Sequence, residues 1–131
     1  WVANNPTTKH LSLGYFGAST GAAAALIAEV RTPHLIRAIV SRGGRPDLAN
    51  LHLSKVKAPT LLLVGGLDGI VIELNEEAFS RLICPKELVI IKGATHLFEE
   101  EGTLEEVAKT ARDWFLKYFS KSRILCKSLV L

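Results

Sequence analysis

Residues 11–30 read LSLGYFGASTGAAAALIAEV. Residues 11–17 form an apolar run that is too short for a helix and is typical of a buried strand. Residues 20–30 are mostly small and have high helix propensity, which predicts a helix that can lie close to a sheet. Arg31, Thr32 and Pro33 then end this helix. The stretch therefore predicts a strand, a turn and a helix in succession.

The rest of the chain continues this alternation of strands and helices. Apolar runs of strand length lie at residues 35–41, 61–64 and 87–91. Helical patterns, the first of them weak, lie at residues 47–56, 72–83 and 103–118. Because unbroken apolar strands alternate with helices, we expect an α/β fold, a mostly parallel sheet of about four strands flanked by helices.

Length and composition limit the class of protein. The 131 residues suffice for one domain, which we assign to residues 1–119, with residues 120–131 as a tail that is either a fifth, edge-covering strand or a disordered end. A net charge of +3 without a dense basic stripe argues against a nucleic-acid partner. No apolar run is long enough to span a membrane, and no secretory signal is visible. Cys84 and Cys126 are interpreted as reduced thiols of a cytoplasmic protein.

A serine motif occupies the predicted turn. Residues 17–21, GASTG, match the pattern G-x-S-x-G between a predicted strand and a predicted helix. Such a turn has room only for small residues on either side of the serine. We therefore expect that a Cβ at the position of Gly17 or Gly21 would collide with the turn. The turn raises the Ser19 hydroxyl above the sheet, and the Thr20 amide at the helix N-terminus can point at an oxyanion. The alternative is a glycine-rich turn without chemistry in another kind of α/β protein.

The motif needs a base, because a serine hydroxyl is a poor nucleophile until a histidine held by a carboxylate takes its proton. Asp68 follows the third predicted strand and His96 follows the fourth, in the chain order Ser, acid, His. Since the carboxyl ends of parallel strands meet at one edge of a sheet, we expect Ser19, Asp68 and His96 to lie together as a catalytic triad.

Other candidate residues have simpler interpretations. Asp47 follows the second strand and is a candidate substitute acid, but an ordinary turn or N-cap aspartate is the favoured interpretation. Arg42 and Arg45 flank the loop after the second strand, where a guanidinium can hold a substrate carboxylate or be solvated. The acidic run at residues 99–101 is assigned no catalytic role. Three histidines lack the spacing of a metal site and are interpreted as surface residues, so that neither a metal nor a cofactor is expected: His10, His34 and His52.

Four segments together resemble the α/β-hydrolase superfamily, and within it the dienelactone-hydrolase-like branch. They are LGYFGASTGAAA at 13–24, VSRGGRPDL at 40–48, LVGGLD at 63–68 and GATHLFEE at 93–100. The resemblance implies Ser19 as nucleophile, Asp68 as acid and His96 as base. It also implies a truncated or minimal α/β-hydrolase fold without a cap domain, acting as an esterase on small carboxylic esters or lactones.

The resemblance covers only the C-terminal part of that fold. Family members usually carry, before the nucleophile strand, further strands and a loop with a second oxyanion amide, where this chain has residues 1–10. Because one oxyanion donor is worth about 10²–10³ in rate, we expect weak activity unless another segment or subunit supplies it. The alternative function is a non-catalytic α/β module or an inactive fragment of a longer hydrolase. The first strand would also form an exposed sheet edge, which predicts a homodimer or other homo-oligomer.

Overall fold

The computed structural model describes the backbone of residues 1–128 and the side chains of residues 1–119. Within these residues lies a sheet of four parallel strands in the order β1-β2-β3-β4. The strands are β1 (Leu13–Ala18), β2 (Ile36–Arg42), β3 (Thr60–Gly65) and β4 (Lys86–Ile91). The helices are α1 (Thr20–Arg31), α2 (Gly69–Arg81) and α3 (Thr103–Ser128), and a 3₁₀ helix spans Pro46–Lys55. This arrangement confirms the predicted α/β fold with a parallel sheet flanked by helices.

Each face of the sheet carries its own hydrophobic cluster. Because side chains alternate along a strand, Leu62 of β3 packs on the side of α1 and the 3₁₀ helix, while Leu61 and Leu63 pack on the side of α3. Every residue of β3 is buried. Helices cover both faces of this strand, which explains why its sequence is an unbroken apolar run and does not alternate with polar residues.

A buried carboxylate ties helix α1 to the chain just before β3. The Glu29 side chain is 1% exposed and accepts hydrogen bonds from the backbone N–H groups of Lys57 (3.3 Å) and Ala58 (3.2 Å). A buried amide left without an acceptor costs about 1–3 kcal/mol. Glu29 therefore fixes the entry of β3 relative to α1, and with it the position at which β3 ends.

Helix α3 is longer than the sequence predicts. The apolar spacing predicts a helix over residues 103–118, whereas the helix runs on to Ser128. Residues 120–128 are therefore helical and do not form a fifth strand, because their backbone groups pair along the helix. Residues 129–131 lie outside the described residues. Neither α3 nor any other described helix combines the length and the apolar content needed to cross a membrane.

Strand β1 forms an edge of the sheet, because among the described residues it pairs only with β2. Its other side leaves a row of backbone groups available for pairing. A Cβ on Gly14 would approach the Phe115 ring of α3, so Gly14 and Phe16, which alternate to the same side, lie on the α3 face. Phe16 is 52% exposed there. An unpaired edge beside an exposed aromatic ring favours association with another chain.

We predict that the chain forms a homodimer through this edge. Replacing Phe16 with Lys should convert the dimer to a monomer, because a charged side chain on an edge strand opposes edge-to-edge pairing. Sedimentation velocity measures the change, with Leu51→Lys as the control at another exposed apolar residue, in the 3₁₀ helix. A wild-type chain that sediments as a monomer contradicts the prediction, as does a dimer that Phe16→Lys leaves intact.

Candidate active site

Ser19 lies at the junction of β1 and α1. Its backbone has φ 50° and ψ −126°, a conformation with positive φ that residues other than glycine rarely adopt. Such a conformation costs about 1–3 kcal/mol and persists only where the surrounding structure holds it. It turns the chain from strand to helix within one residue, since β1 ends at Ala18 and α1 begins at Thr20. The turn leaves Ser19 exposed at the carboxyl edge of the sheet.

The two glycines of the motif differ in their surroundings. A Cβ on Gly17 would lie 2.6 Å from the carbonyl oxygen of Gly21 and 2.7 Å from backbone atoms of Ala22. Helix α1 therefore approaches β1 so closely that only glycine fits at position 17. Apart from its chain neighbours and the nearby backbone of its own helix, a Cβ on Gly21 would meet no described atom within 4 Å. The expected collision is confirmed at Gly17 and is wrong at Gly21, where the helix faces open space.

Asp68 and His96 meet at the same edge of the sheet. Asp68 lies between β3 and α2, and His96 lies in the loop that follows β4. The Nδ1 atom of His96 is 2.6 Å from the Oδ2 atom of Asp68. The Asp68 side chain is 18% exposed and that of His96 is 42% exposed, so the carboxylate is the inner partner. The structure therefore joins two of the three predicted residues by a short hydrogen bond.

Ser19 and His96 both pack against the loop that follows β2. The Ser19 N–H donates to the Arg42 carbonyl (3.4 Å), and the Ser19 carbonyl accepts from the Arg45 N–H (2.9 Å). A Cβ on Gly43, in the same loop, would lie 3.3 Å from the carbonyl oxygen of His96 and 3.6 Å from its Nδ1. The loop thus brings the serine and the histidine to one place. Among the described residues, however, the Ser19 hydroxyl has no hydrogen-bond partner, His96 included.

The Thr20 amide is the donor nearest to Ser19 along the chain. Thr20 is the first residue of α1, and its N–H donates to no carbonyl of the described residues. The first N–H groups of a helix lack intrahelical acceptors, and they carry the positive end of the helix dipole. This amide is therefore available to an anion that forms beside the Ser19 hydroxyl.

Arg42, the last residue of β2, and Arg45, in the loop that follows, have different surroundings. Arg45 donates from Nε (2.9 Å) and Nη2 (2.8 Å) to the two carboxylate oxygens of Asp47. These hydrogen bonds hold the pKa of Asp47 below its ordinary value. Asp47 is thus the partner of Arg45, while His96 is paired with Asp68. The Arg42 guanidinium lies 5.5 Å from the centre of the Phe98 ring, and its Nε is buried without a hydrogen-bond partner among the described residues.

The other histidines and the cysteines lie outside this cluster. His52 contacts a backbone carbonyl of its own 3₁₀ helix. His10 and His34 lie near the amino ends of β1 and β2, at the end of the sheet opposite to Asp68 and His96. Burial raises the pKa of the Cys84 thiol, and the side chain of Cys126 is outside the described residues. Within the part of the chain that the structure describes, no group of three or more His, Cys, Asp and Glu residues is placed to hold a metal ion.

Glu100 has a role at the site that the sequence analysis missed. Its Oε1 accepts from the Thr95 hydroxyl (2.5 Å), and its Oε2 accepts from the Thr95 N–H (3.1 Å). The Thr103 hydroxyl donates to the Glu100 carbonyl (2.7 Å), which anchors Glu100 to the first residue of α3. Because Thr95 directly precedes His96, this pair of contacts fixes the loop that carries the imidazole. The sequence shows only an acidic run before a helix, so no pattern distinguishes Glu100 from its solvated neighbours.

Asn75 is a second residue that the sequence analysis missed. It is fully buried in α2, and its Nδ2 donates to the carbonyl oxygens of Gly44 (3.0 Å) and Val71 (2.8 Å). It thereby ties α2, the helix that follows Asp68, to the loop that contacts Ser19. A lone amide on the buried face of a helix is the sequence signal that points to such a tie, because buried polar groups need partners.

Two curated proteins resemble the chain. Both come from Mycobacterium tuberculosis, strains CDC 1551 and H37Rv, and each is 56% identical over 118 residues. They are provisionally named phosphoribosyl transferases. The match covers 90% of this chain and 27% of each relative, so the chain spans about a quarter of their length. No family model matches the chain.

Solved structures show what kind of fold this is. A dienelactone hydrolase from Anabaena variabilis is 56% identical and superposes with a TM-score of 0.89, over 91% of this chain and 55% of that chain. The chain has the fold of the dienelactone-hydrolase-like α/β-hydrolases. The resemblance stated from the sequence motifs is confirmed, and it covers part of the hydrolase fold. Est1E from Butyrivibrio proteoclasticus, solved with ferulic acid bound, shares the fold at 17% identity, with a TM-score of 0.71 over 87% of this chain and 64% of that chain.

The contrast between the two motif glycines gives a testable prediction on stability. In this hydrolase fold Gly17→Ala should lower the free energy of unfolding by about 1–3 kcal/mol, because the new Cβ has to displace the backbone of α1. Gly21→Ala is the matched control and should leave stability unchanged or raise it, since the position is open and alanine favours a helix. Urea denaturation of the two variants measures both effects. Equal destabilisation by the two substitutions would contradict the close approach at Gly17.

The contacts of Glu100 give a further prediction, on the dependence of stability on pH. Hydrogen bonds from Thr95 hold the pKa of Glu100 below its ordinary value of 4.5, the Thr95 hydroxyl being the largest cause. The contribution of these contacts to stability is therefore present above the unfolded pKa, and it is lost as the pH falls through the lower, folded pKa. Thr95→Val should raise the pKa of Glu100 toward 4.5, whereas Thr95→Ser, which keeps the hydroxyl, should not. Carboxyl titration by NMR checks this, with exposed Glu99 as the internal control, and an unchanged Glu100 pKa in Thr95→Val contradicts it.

Proposed function

We propose that the chain carries the reaction centre of a serine esterase that cleaves small carboxylic esters or lactones. Ser19 is the nucleophile, His96 is the general base, and Asp68 orients that base. The observation that carries the proposal is the 2.6 Å contact between His96 Nδ1 and Asp68 Oδ2, at the sheet edge where Ser19 is held in a strained turn. The 56% identity to a dienelactone hydrolase supports the same chemistry.

The contact between Asp68 and His96 determines which ring nitrogen acts as the base. An ionised carboxylate only accepts hydrogen bonds, so His96 Nδ1 carries the proton and Nε2 keeps its lone pair. Asp68 then stabilises the imidazolium that forms when Nε2 takes a proton. The bond from the Ser19 hydroxyl to Nε2 forms in the substrate complex, because catalytic hydrogen bonds are often long without substrate.

The reaction then follows two steps. Ser19 Oγ attacks the acyl carbon while His96 Nε2 takes the hydroxyl proton; the C–O bond to the alcohol breaks, and the alcohol leaves with that proton. Water next attacks the acyl-enzyme, giving its proton to Nε2, and the acid leaves as Ser19 Oγ recovers the proton. The Thr20 N–H binds the oxyanion in both steps. With this amide as the assigned donor, we expect slow turnover, because each oxyanion donor is worth about 10²–10³ in rate.

Substrate recognition is assigned to Arg42 in preference to Arg45. Arg45 is held by Asp47 through two hydrogen bonds, so its guanidinium is already paired. Arg42 has a buried Nε without a partner among the described residues. It lies at the end of β2, where its carbonyl accepts the hydrogen bond from the Ser19 N–H. A guanidinium in this place can hold a carboxylate of the substrate.

Two other functions compete with the esterase. The free Ser19 hydroxyl in the structure favours a non-catalytic module, in which the serine is never activated. The name of the mycobacterial relatives favours phosphoribosyl transfer, but it describes proteins of which the matched segment makes up 27%. The cytoplasmic location expected from the cysteines stays a prediction alongside the esterase.

Labelling with a fluorophosphonate probe tests the esterase directly. The wild-type chain should become labelled at Ser19, and Ser19→Ala should lose both labelling and turnover of a p-nitrophenyl ester while keeping its fold. Ser19→Gly should lose them too but unfold at a higher temperature than Ser19→Ala, because glycine adopts a φ of 50° without strain.

The controls separate the three functions. Ser80→Ala changes an exposed serine in α2, far along the chain from the motif, and should leave labelling unchanged. A folded wild-type chain that neither reacts with the probe nor hydrolyses the ester would support the non-catalytic module. Release of diphosphate from 5-phosphoribosyl diphosphate by the chain would support the transferase.

A further inference from the structure

A pocket lies at the end of the sheet opposite to Ser19, Asp68 and His96. It is formed where the chain enters β1 and β2, at their amino ends, and has a volume of about 340 Å³. The proposed reaction does not use this pocket, because its residues lie at the carboxyl ends of the strands and the pocket lies at the amino ends.

The ionisable residues of the pocket are all basic. Lys9, His10, His34 and Arg37 line it, and its lining contains no Asp or Glu. None of these four side chains makes an ion pair or a side-chain hydrogen bond with a described residue, and all four residues are exposed. Two fixed positive charges and two imidazoles that share one concavity favour an anion, and no carboxylate of the lining competes for them.

Apart from Ser12, the rest of the lining is apolar, which gives the ligand a second chemical requirement. Ala3, Leu11, Leu13 and Leu35 supply this surface, and Leu11 and Leu35 are among the exposed large apolar residues of the chain. Pockets of about 300–1,000 Å³ accommodate small organic ligands. A simple inorganic ion would leave this apolar surface in water, so the pocket fits an anion that carries an apolar body.

His34 is held in the pocket by a strained backbone. Its φ is 70°, in the left-handed region, where the chain turns from α1 into β2. Glycine would satisfy this turn at lower cost. Strain of this kind is often found at binding sites, where the side chain compensates for it.

We propose that this pocket binds a small organic phosphate with an apolar or aromatic body. A phosphate monoester carries a charge of about −1.5 to −2 at pH 7 and three acceptor oxygens, which matches several basic side chains better than a carboxylate does. Arg37 and Lys9 hold the phosphate group, and the leucines contact the body. The site is separate from Ser19, so the proposal does not depend on the esterase activity.

Binding of phenyl phosphate to the full chain tests the proposal, followed by ¹H–¹⁵N NMR. Phenyl phosphate should shift the signals of residues 9–13 and 34–37, and it should bind more tightly than inorganic phosphate or benzoate. Arg37→Ala should weaken it about tenfold or more, because charge-assisted hydrogen bonds to the phosphate are lost. Arg112→Ala is the matched control, since Arg112 is an exposed arginine of α3 outside the pocket lining, and it should leave the affinity unchanged.

A second variant separates binding from folding. His34→Gly should keep or raise the melting temperature, because it relieves the positive φ, while it weakens the binding of phenyl phosphate. The proposal is overturned if Arg37→Ala and His34→Gly bind as the wild type does, or if Arg112→Ala weakens binding as much as Arg37→Ala. Equal affinity for benzoate overturns the assignment to a phosphate. None of these results bears on fluorophosphonate labelling of Ser19, so this pocket and the esterase can fail independently.

Discussion

At Gly17, helix α1 lies against strand β1 with no room for a Cβ, since one would come within 2.6 Å of the Gly21 carbonyl oxygen. This close approach forces the chain to turn from strand to helix within one residue, and Ser19 takes the positive φ that the turn requires. The helix then begins directly after the serine, so its first amides lie beside the hydroxyl. Two backbone hydrogen bonds hold Ser19 in this strained conformation: its N–H donates to the last residue of β2, and its C=O accepts from the loop that follows.

The parallel sheet places the other groups of the site only approximately, and side chains of the loops fix them. Parallel pairing of β3 with β2 and β4 puts Asp68 and the loop of His96 at the edge where Ser19 lies. The final direction of the imidazole depends on contacts that are not part of the sheet. Asp68 accepts from its Nδ1, Gly43 leaves space beside it, and Glu100 holds the preceding Thr95 by two contacts.

The same polarity of the strands separates two environments at the two ends of the sheet. The carboxyl ends gather a serine, a carboxylate, an imidazole and helix amides, which are groups that suit covalent chemistry. The amino ends of β1 and β2 gather unpaired basic side chains over apolar ones. A parallel sheet can bind different ligands at the two ends of its strands, because helices cover both faces and leave the strand ends open.

The sequence by itself determined the order of the elements and which candidate residues lie at the carboxyl ends of the strands. Apolar runs of strand length, small residues in the first helix and the G-x-S-x-G pattern all depend on neighbours along the chain, so β1, α1 and Ser19 could be placed from residues 11–30. Asp68 and His96 could be assigned because parallel strands send their carboxyl ends to one edge, whatever the details of packing.

Tertiary structure alone decided which of the remaining polar groups pair with one another. Asp47 is bound to Arg45, Arg42 lies over Phe98, and Glu100 holds Thr95. The sequence alone is equally consistent with each of these charged side chains being solvated. Gly21 matches the motif as well as Gly17 does, yet only Gly17 lies where a backbone passes within van der Waals distance. Such pairings depend on distances between segments that are far apart in the chain. Those distances are fixed by the packing of whole helices on the sheet, which local sequence patterns do not specify.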